Sequence, residues 1–286
     1  MRQFPVFVEA EGCHVASVVT VPDGDPRGIV ISLAATGRHN LIGSTLSTHL
    51  SQRLVEYGLA SVRLDYSGVG DSPGLVPTWV LSDVEAAAQQ TRAVLTIAME
   101  TLDVSHFAAV GTCYGSRVAL SLVSHPSCLG AVCLAPPVLE HGGLSRLSRR
   151  VGERTVLSYV RSRTAFRRLA GPLRRTLRAR KPAARVADAF EHLDRARIVF
   201  LYGTPSFDDH YSRRAQEVLD ASLASLPPEK REHFELRMLP WGPLSTFDML
   251  SPENQADVLD VVVSLVCSSF EEAVPLPLPG AAALTG

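Results

Sequence analysis

The chain has 286 residues, of which 46% are hydrophobic and 20% charged, and its formal net charge is −1. This length and composition predict one large core or one domain with an insertion, and the near-neutral total indicates no polyanionic partner. No apolar run reaches the roughly 18 residues of a membrane span, and the first ten residues lack the pattern of a signal peptide.

The five cysteines form no recognisable metal or disulfide pattern. They stand at the irregular positions 13, 113, 128, 133 and 267, without a CxxC pair or a cluster with histidine. We therefore expect reduced thiols in a cytoplasmic protein, and the sequence indicates no metal and no cofactor.

Apolar strands alternate with amphipathic helices along most of the chain. The β-branched runs 15–21 and 28–33, joined by the turn PDGDPRG, predict a β-hairpin. Helices are then predicted at 45–57, 83–99, 114–124, 211–224 and 252–267, and strands at 60–64, 107–110, 130–134, 197–202 and 234–239. This alternation implies right-handed crossovers and a largely parallel sheet with helices on both faces.

The domain organisation follows from the same pattern. We expect residues 1–139 and 191–270 to form the α/β core, with 140–190 as a helical insertion between two strands. The tail at 271–286 contains VPLPLPGAAALTG, which offers little packing surface and predicts disorder.

Basic residues concentrate in the predicted insertion. From Arg146 to Arg185 there are fourteen Arg and Lys residues and one acid, so the segment carries +13 and the rest of the chain −14. A solvated helical cap is one interpretation, and docking of an anionic acyl carrier protein or coenzyme A is the other. The candidate docking residues are Arg149, Arg150, Arg167, Arg168, Arg174 and Arg175. Few aromatic residues accompany them, which disfavours nucleic acid.

The stretch FAAVGTCYGSRVAL predicts a buried strand, a sharp turn and a helix. The small residues Gly111 and Gly115 permit a turn that lifts Cys113 above the carboxyl edge of the sheet. There it lies at a helix N-terminus, where the dipole favours the thiolate. The backbone N–H of Tyr114 would face a developing oxyanion, with a second donor near Thr36. The alternative is a cysteine that merely fills the core.

Three stretches resemble the α/β-hydrolase superfamily, over residues 15–267. GTCYGS resembles the nucleophile elbow, with Cys where most members have Ser, and VRLDYSGVGDSPG is similar to the R-x-D-x-x-G-x-G-x-S segment after the fourth strand. LAATGRHNLIG stands where the oxyanion loop belongs. The cysteine resembles that of dienelactone-hydrolase-like and thioesterase- or Dieckmann-cyclase-like enzymes. The resemblance implies the α/β-hydrolase fold with the Arg-rich insertion as its lid, whereas activity varies widely on this fold.

The resemblance also implies an acid after the strand that follows the lid and a histidine after the last strand. FLYGTPSFDDHY offers Asp208, which we prefer, or Asp209, and Glu140 is an alternative acid. In LPWGPLSTFDML the histidine position is occupied by Ser245, and no histidine follows His233. A serine hydroxyl cannot replace an imidazole as a proton acceptor.

Three other histidines fall in loops at the predicted catalytic edge. His39 is the possible base, because it follows the oxyanion loop, while His210 adjoins the acid loop and His141 opens the insertion. The remaining histidines before His233 are interpreted as peripheral: His14, His49, His106, His125 and His192.

The missing base changes which reactions we expect. A thiolate can take an acyl group without full assistance, but hydrolysis of the acyl-cysteine needs a base to activate water. The sequence therefore favours an acyltransferase or cyclase that acts on a thioester in bacterial natural-product biosynthesis. A non-covalent cyclase or binding protein with the same pocket is the alternative, and a simple cysteine-dependent esterase or thioesterase ranks third.

Overall fold

The protein is described by a computed structural model. Its described residues are 1–10, 12–33, 44–74, 84–139, 184–203 and 212–273. The strands are β1 (Arg2–Ala10), β2 (Cys13–Val21), β3 (Ile29–Leu33), β4 (Ala60–Leu64), β5 (Phe107–Thr112), β6 (Cys128–Leu134), β7 (Arg197–Tyr202) and β8 (Phe234–Met238). They form one sheet in the order β1-β2-β4-β3-β5-β6-β7-β8.

Seven α-helices accompany the sheet in the described ranges. They are α1 (Thr45–Leu54), α2 (Val84–Leu102), α3 (Tyr114–Leu122), α4 (Ala184–Phe190), α5 (Arg213–Ala224), α6 (Pro228–Arg231) and α7 (Pro252–Ala273). Short 3₁₀ turns lie at Val55–Tyr57 and Leu244–Met249. None of the helices in these ranges is both long and apolar enough to cross a membrane.

The six strands from β3 to β8 run parallel to one another, and the predicted sheet architecture is confirmed. Every residue of β3, β4 and β5 is buried, as is expected of strands covered on both faces. Because the crossovers β3–β4 and β5–β6 step in opposite directions, right-handed connections place α1 and α3 on opposite faces. Helix α7 packs against α1, and α2 and α4 pack against α3.

The predicted hairpin between the runs 15–21 and 28–33 is wrong, because β4 lies between β2 and β3. The apolar β3 takes a parallel neighbour on each side, β4 and β5, which leaves β2 to pair antiparallel with the outer side of β4. The hairpin partner of β2 is instead β1, paired from Arg2↔Val21 to Ala10↔Cys13. The sequence analysis missed β1, although the alternation in its second half, where Val8 and Ala10 are buried between exposed residues, is a strand signal.

The structure describes the end of the predicted insertion and the start of the predicted tail. Helix α4 covers the last seven residues of the predicted insertion, and its Phe190 ring contacts Phe200 at 6.4 Å and Phe234 at 5.2 Å between centroids. Helix α7 continues to Ala273, three residues past the expected end of the core. Residues 140–183 and 274–286 lie outside the described residues, so the predicted lid and tail stay predictions.

Candidate active site

Cys113 lies in the turn between β5 and α3. Its backbone has φ 51° and ψ −109°, a conformation that costs a non-glycine residue on the order of 1–3 kcal/mol. Hydrogen bonds hold it from both sides: its N–H donates to the Leu134 carbonyl at 2.9 Å, and its carbonyl accepts from the Ser116 N–H at 3.1 Å. The side chain is partly exposed at the carboxyl end of β5. The geometry therefore presents this thiol above the sheet.

The close contact between β5 and α3 explains the small residues of the turn. A Cβ atom on Gly111 would lie 2.5 Å from the Gly115 carbonyl oxygen and 2.6 Å from the Ser116 Cα. The Ser116 hydroxyl donates to the Gly111 carbonyl at 2.8 Å, which ties the first helical turn to the strand. The first N–H groups of a helix point out along its axis, so the Tyr114 N–H lies at the end of α3 that Cys113 caps.

The segment DYSGVGDSPG after β4 folds as a loop held by hydrogen bonds. The Asp65 carboxylate accepts from the Asp71 N–H at 3.0 Å and lies so close to Gly70 (φ 54°) that a Cβ there would collide with it. The Ser72 hydroxyl accepts from the Ala16 N–H at 2.8 Å and donates to the Asp65 carbonyl at 2.6 Å. These contacts indicate that the Asp, Gly and Ser of the motif hold the loop against β2.

Tyr66 is a residue that the sequence analysis missed. It follows Asp65 in the same loop, and its ring meets the Tyr114 ring edge to face at a centroid distance of 6.1 Å and 81°. The side chain is 2% exposed, and its hydroxyl has no hydrogen-bond partner in the described part of the protein. Burial raises the pKa of Tyr66 well above its ordinary value, with a smaller contribution from Tyr114. The available signal was a phenol two residues after the end of a strand, at the predicted catalytic edge.

The loop after β8 carries Ser245 away from its own strand. A Cβ on Gly203, directly after β7, would collide with the Trp241 carbonyl oxygen, so this loop crosses the end of β7. The 3₁₀ turn that contains Ser245 then packs against α1, the helix that follows β3. Leu244 and Phe247 are buried and anchor the turn, while Ser245 is partly exposed. The loop therefore runs back across the sheet from β8.

Most histidines of the described ranges lie at the amino edge of the sheet. His106 and His233 immediately precede β5 and β8, and His125 and His192 lie in the connections that enter β6 and β7. The six-residue strand β5 separates that edge from Cys113 by about 20 Å. Burial lowers the pKa of His125, together with the charges of Arg92 and Arg195. The interpretation of His106, His125 and His192 as peripheral agrees with their placement.

His14 and His49 lie elsewhere in the fold. Because β2 runs antiparallel to β4, His14 lies at the carboxyl edge, which the sequence analysis did not anticipate. Three strand spacings still separate β2 from β5, on the order of 14 Å. His49 is exposed in the middle of α1. Neither position adjoins the elbow in the sheet.

The described residues include three of the predicted site residues: Cys113, Tyr114 and Ser245. The other predictions lie outside the described residues and stay predictions: Thr36, His39, Glu140, His141, Asp208, Asp209, His210, Arg149, Arg150, Arg167, Arg168, Arg174 and Arg175. Within the described ranges, no three His, Cys, Asp or Glu side chains are grouped as metal ligands.

Exposure separates the cysteines into two groups. Burial raises the pKa of Cys128 to about 12 and that of Cys267 to about 11, and it raises the pKa of Cys133 further. Cys13 and Cys113 are partly exposed. We expect a thiol reagent to modify these two in the native protein at pH 8, because the reactive form is the thiolate. Mass spectrometry of labelled peptides checks this, with the unfolded protein as the five-thiol control. Rapid labelling of Cys133 in the native protein would contradict it.

Comparison with known proteins finds solved structures with a similar fold but no matching sequence family. No protein-family model matches this sequence, and no curated protein matches it. Among solved structures, an α/β serine hydrolase homologue from Coxiella burnetii has 14% identity and a TM-score of 0.57, with 93% of this chain and 98% of that one covered. A thermostable carboxyl esterase from Bacillus coagulans, in complex with glycerol, has 13% identity and a TM-score of 0.60, covering 94% and 99%. DcsB in complex with a substrate analogue has 13% identity and a TM-score of 0.61, with the same coverage.

Proposed function

We propose that this chain, which has the α/β-hydrolase fold, is an acyl-transfer or cyclisation enzyme in which Cys113 carries the acyl group. The observation that carries the proposal is the elbow: a partly exposed thiol on a strained backbone (φ 51°) at the start of α3. Backbone strain of this kind persists only where surrounding contacts impose it, and it is concentrated at functional sites. Here Leu134 and Ser116 impose it through hydrogen bonds.

The proposed reaction has two steps. The Cys113 thiolate attacks the carbonyl carbon of a thioester, and the tetrahedral intermediate expels the carrier thiolate to leave an acyl-cysteine. An acceptor amine, hydroxyl, thiol or stabilised carbanion then attacks the same carbon and releases the Cys113 thiolate, while the acceptor proton ends on the expelled carrier thiol. The proposed oxyanion donors are the Tyr114 N–H and a group near Thr36.

The serine at position 245 supports acyl transfer to an acceptor rather than hydrolysis of the acyl-cysteine. It occupies the position at which the resemblance implies a histidine, and its turn packs against α1 after crossing β7. A hydroxyl cannot take the proton of an attacking water, so the acyl-cysteine should survive until another nucleophile captures it. Where a base acts, His39 is the proposed residue, and Asp208 is the proposed acid.

The insertion supports a thioester as the acyl donor. Its charge of +13 would attract an acidic acyl carrier protein or the phosphates of coenzyme A. Arg149, Arg150, Arg167, Arg168, Arg174 and Arg175 are the proposed docking residues. A place in bacterial natural-product biosynthesis and a relation to cysteine-dependent cyclases belong to the same proposal.

Intact-mass spectrometry with an acetyl N-acetylcysteamine thioester tests the proposal. We expect the wild type to gain one acetyl group and Cys113→Ala to gain none, because the adduct is a thioester on that sulfur. Cys13→Ala is the matched control: Cys13 is also partly exposed at the carboxyl edge, where it accepts from the Ser67 hydroxyl at 3.4 Å, and this variant should keep the adduct.

Three results would change the proposed assignment. An equal adduct in Cys113→Ala would place the acyl group elsewhere and overturn the proposal. A wild type without any adduct would favour the non-covalent cyclase or binding protein, which uses the same pocket without a covalent step. Rapid loss of the adduct to water, without an acceptor, would favour the simple esterase.

A further inference from the structure

We propose that the Tyr66 phenol donates a hydrogen bond to the acyl oxygen bound at Cys113, beside the backbone N–H of Tyr114. This inference rests on the proposed function and adds a side chain to that site. The inference depends on the position of the Tyr66 ring and on its hydroxyl, which has no hydrogen-bond partner in the described part of the chain.

The placement of Tyr66 brings it to the elbow from a strand that does not adjoin β5. Tyr66 follows β4, and β3 lies between β4 and β5 in the sheet. The contact between the Tyr66 and Tyr114 rings at 6.1 Å therefore spans the carboxyl end of β3. Tyr66, the start of α3 and the end of β3 thus meet at the same strand ends.

The hydroxyl of Tyr66 is unusual for a buried phenol. Buried polar groups are nearly always hydrogen-bonded, yet this oxygen has no partner in the described part of the chain. Tyr202, also fully buried at the carboxyl end of a strand, shows the ordinary arrangement, because its hydroxyl donates to the Pro136 carbonyl at 2.6 Å. A phenylalanine would fill the position of Tyr66 without an unsatisfied polar atom. A hydrogen-bond acceptor on the bound substrate explains why this position carries a hydroxyl.

The chemistry of the proposed reaction requires such a donor. When the thiolate attacks, negative charge moves to the acyl oxygen, and a donor already fixed in a water-poor site stabilises that charge without reorganisation. The raised pKa of Tyr66 keeps the phenol protonated at pH 8. The proton stays on Tyr66 throughout, so the residue donates a hydrogen bond and is not an acid in the reaction.

Two rates measured on wild type and Tyr66→Phe test the proposal. We expect the rate at which the acetyl N-acetylcysteamine thioester acylates Cys113 to fall about 100-fold, the usual effect of removing one oxyanion donor. Alkylation of Cys113 by iodoacetamide forms no oxyanion, so its rate should not change. An equal loss in both rates would show that Tyr66 acts on the thiol or on the structure, and unchanged acylation would show that its hydroxyl does not reach the acyl oxygen.

Thermal unfolding supplies the structural control. Tyr66→Phe removes an unsatisfied hydroxyl and should unfold at the same temperature as the wild type or higher. Tyr202→Phe breaks a formed hydrogen bond and should unfold at a lower temperature. A clear destabilisation of Tyr66→Phe would overturn the inference, because the hydroxyl would then have a partner within the protein. If the wild type is alkylated but never acylated, the proposed function itself fails.

Discussion

Gly111→Ala is expected to abolish the folded protein or leave it severely destabilised. Its new methyl group would lie 2.5 Å from the Gly115 carbonyl oxygen and 2.6 Å from the Ser116 Cα, and both are backbone atoms that cannot rotate away. Separating α3 from β5 would also break the hydrogen bond from Ser116 to the Gly111 carbonyl. We expect a loss of more than about 3 kcal/mol, above the usual range for overpacking and a large part of a typical domain stability.

Denaturant unfolding followed by circular dichroism measures this effect. Gly24→Ala is the matched control, because a Cβ on Gly24 meets no atom within 4 Å and the residue has no positive φ. We expect that variant to unfold at nearly the wild-type denaturant concentration. A Gly111→Ala protein as stable as Gly24→Ala would show that α3 does not approach β5 this closely.

Ser245→His is expected to turn the protein toward hydrolysis. An imidazole at this position could accept the proton of an attacking water, and a positioned general base contributes about 10²- to 10⁴-fold to such a step. We therefore expect water to release acetate from the acylated protein at least about 100-fold faster than in the wild type. The lifetime of the acyl adduct, followed by intact mass in the absence of an acceptor, gives this rate directly.

Two controls separate a positioned base from a general effect of the substitution. Ser245→Ala should leave the adduct lifetime unchanged, because the hydroxyl has no assigned role in water activation. Met249→His places an imidazole in the same 3₁₀ turn, on a side chain that is 77% exposed, and should have no comparable effect. If Ser245→His hydrolyses no faster than these two, Ser245 does not lie beside the thiol.

The central strands could be predicted because the types of residue in each strand indicate that it is buried. Strands β3 and β5 consist almost entirely of apolar or small residues, and such runs are typical of a sheet covered on both faces. The elbow was predictable for a similar reason, since the small residues Gly111 and Gly115 flank a turn at which a strand and a helix approach closely.

Strand pairing was harder to predict from the sequence. The turn after β2 resembles a hairpin turn, yet β2 pairs with β4, because neighbour choice depends on which strand edge remains open once β3 has taken β4 and β5. The same arrangement brings His14 to the carboxyl edge. Tyr66 was missed because its contact with Tyr114 joins residues 48 positions apart across an intervening strand.

The sequence by itself determined the layered α/β architecture, the position of Cys113 between strand and helix, and the serine at the place of the expected histidine. These depend on the size, polarity and order of neighbouring residues, which the chain carries locally. Only the tertiary structure decided the strand order, the carboxyl-edge placement of His14 and the contact of Tyr66 with Tyr114. Such relations arise when crossovers bring distant strand ends together, and no short stretch of sequence contains that information.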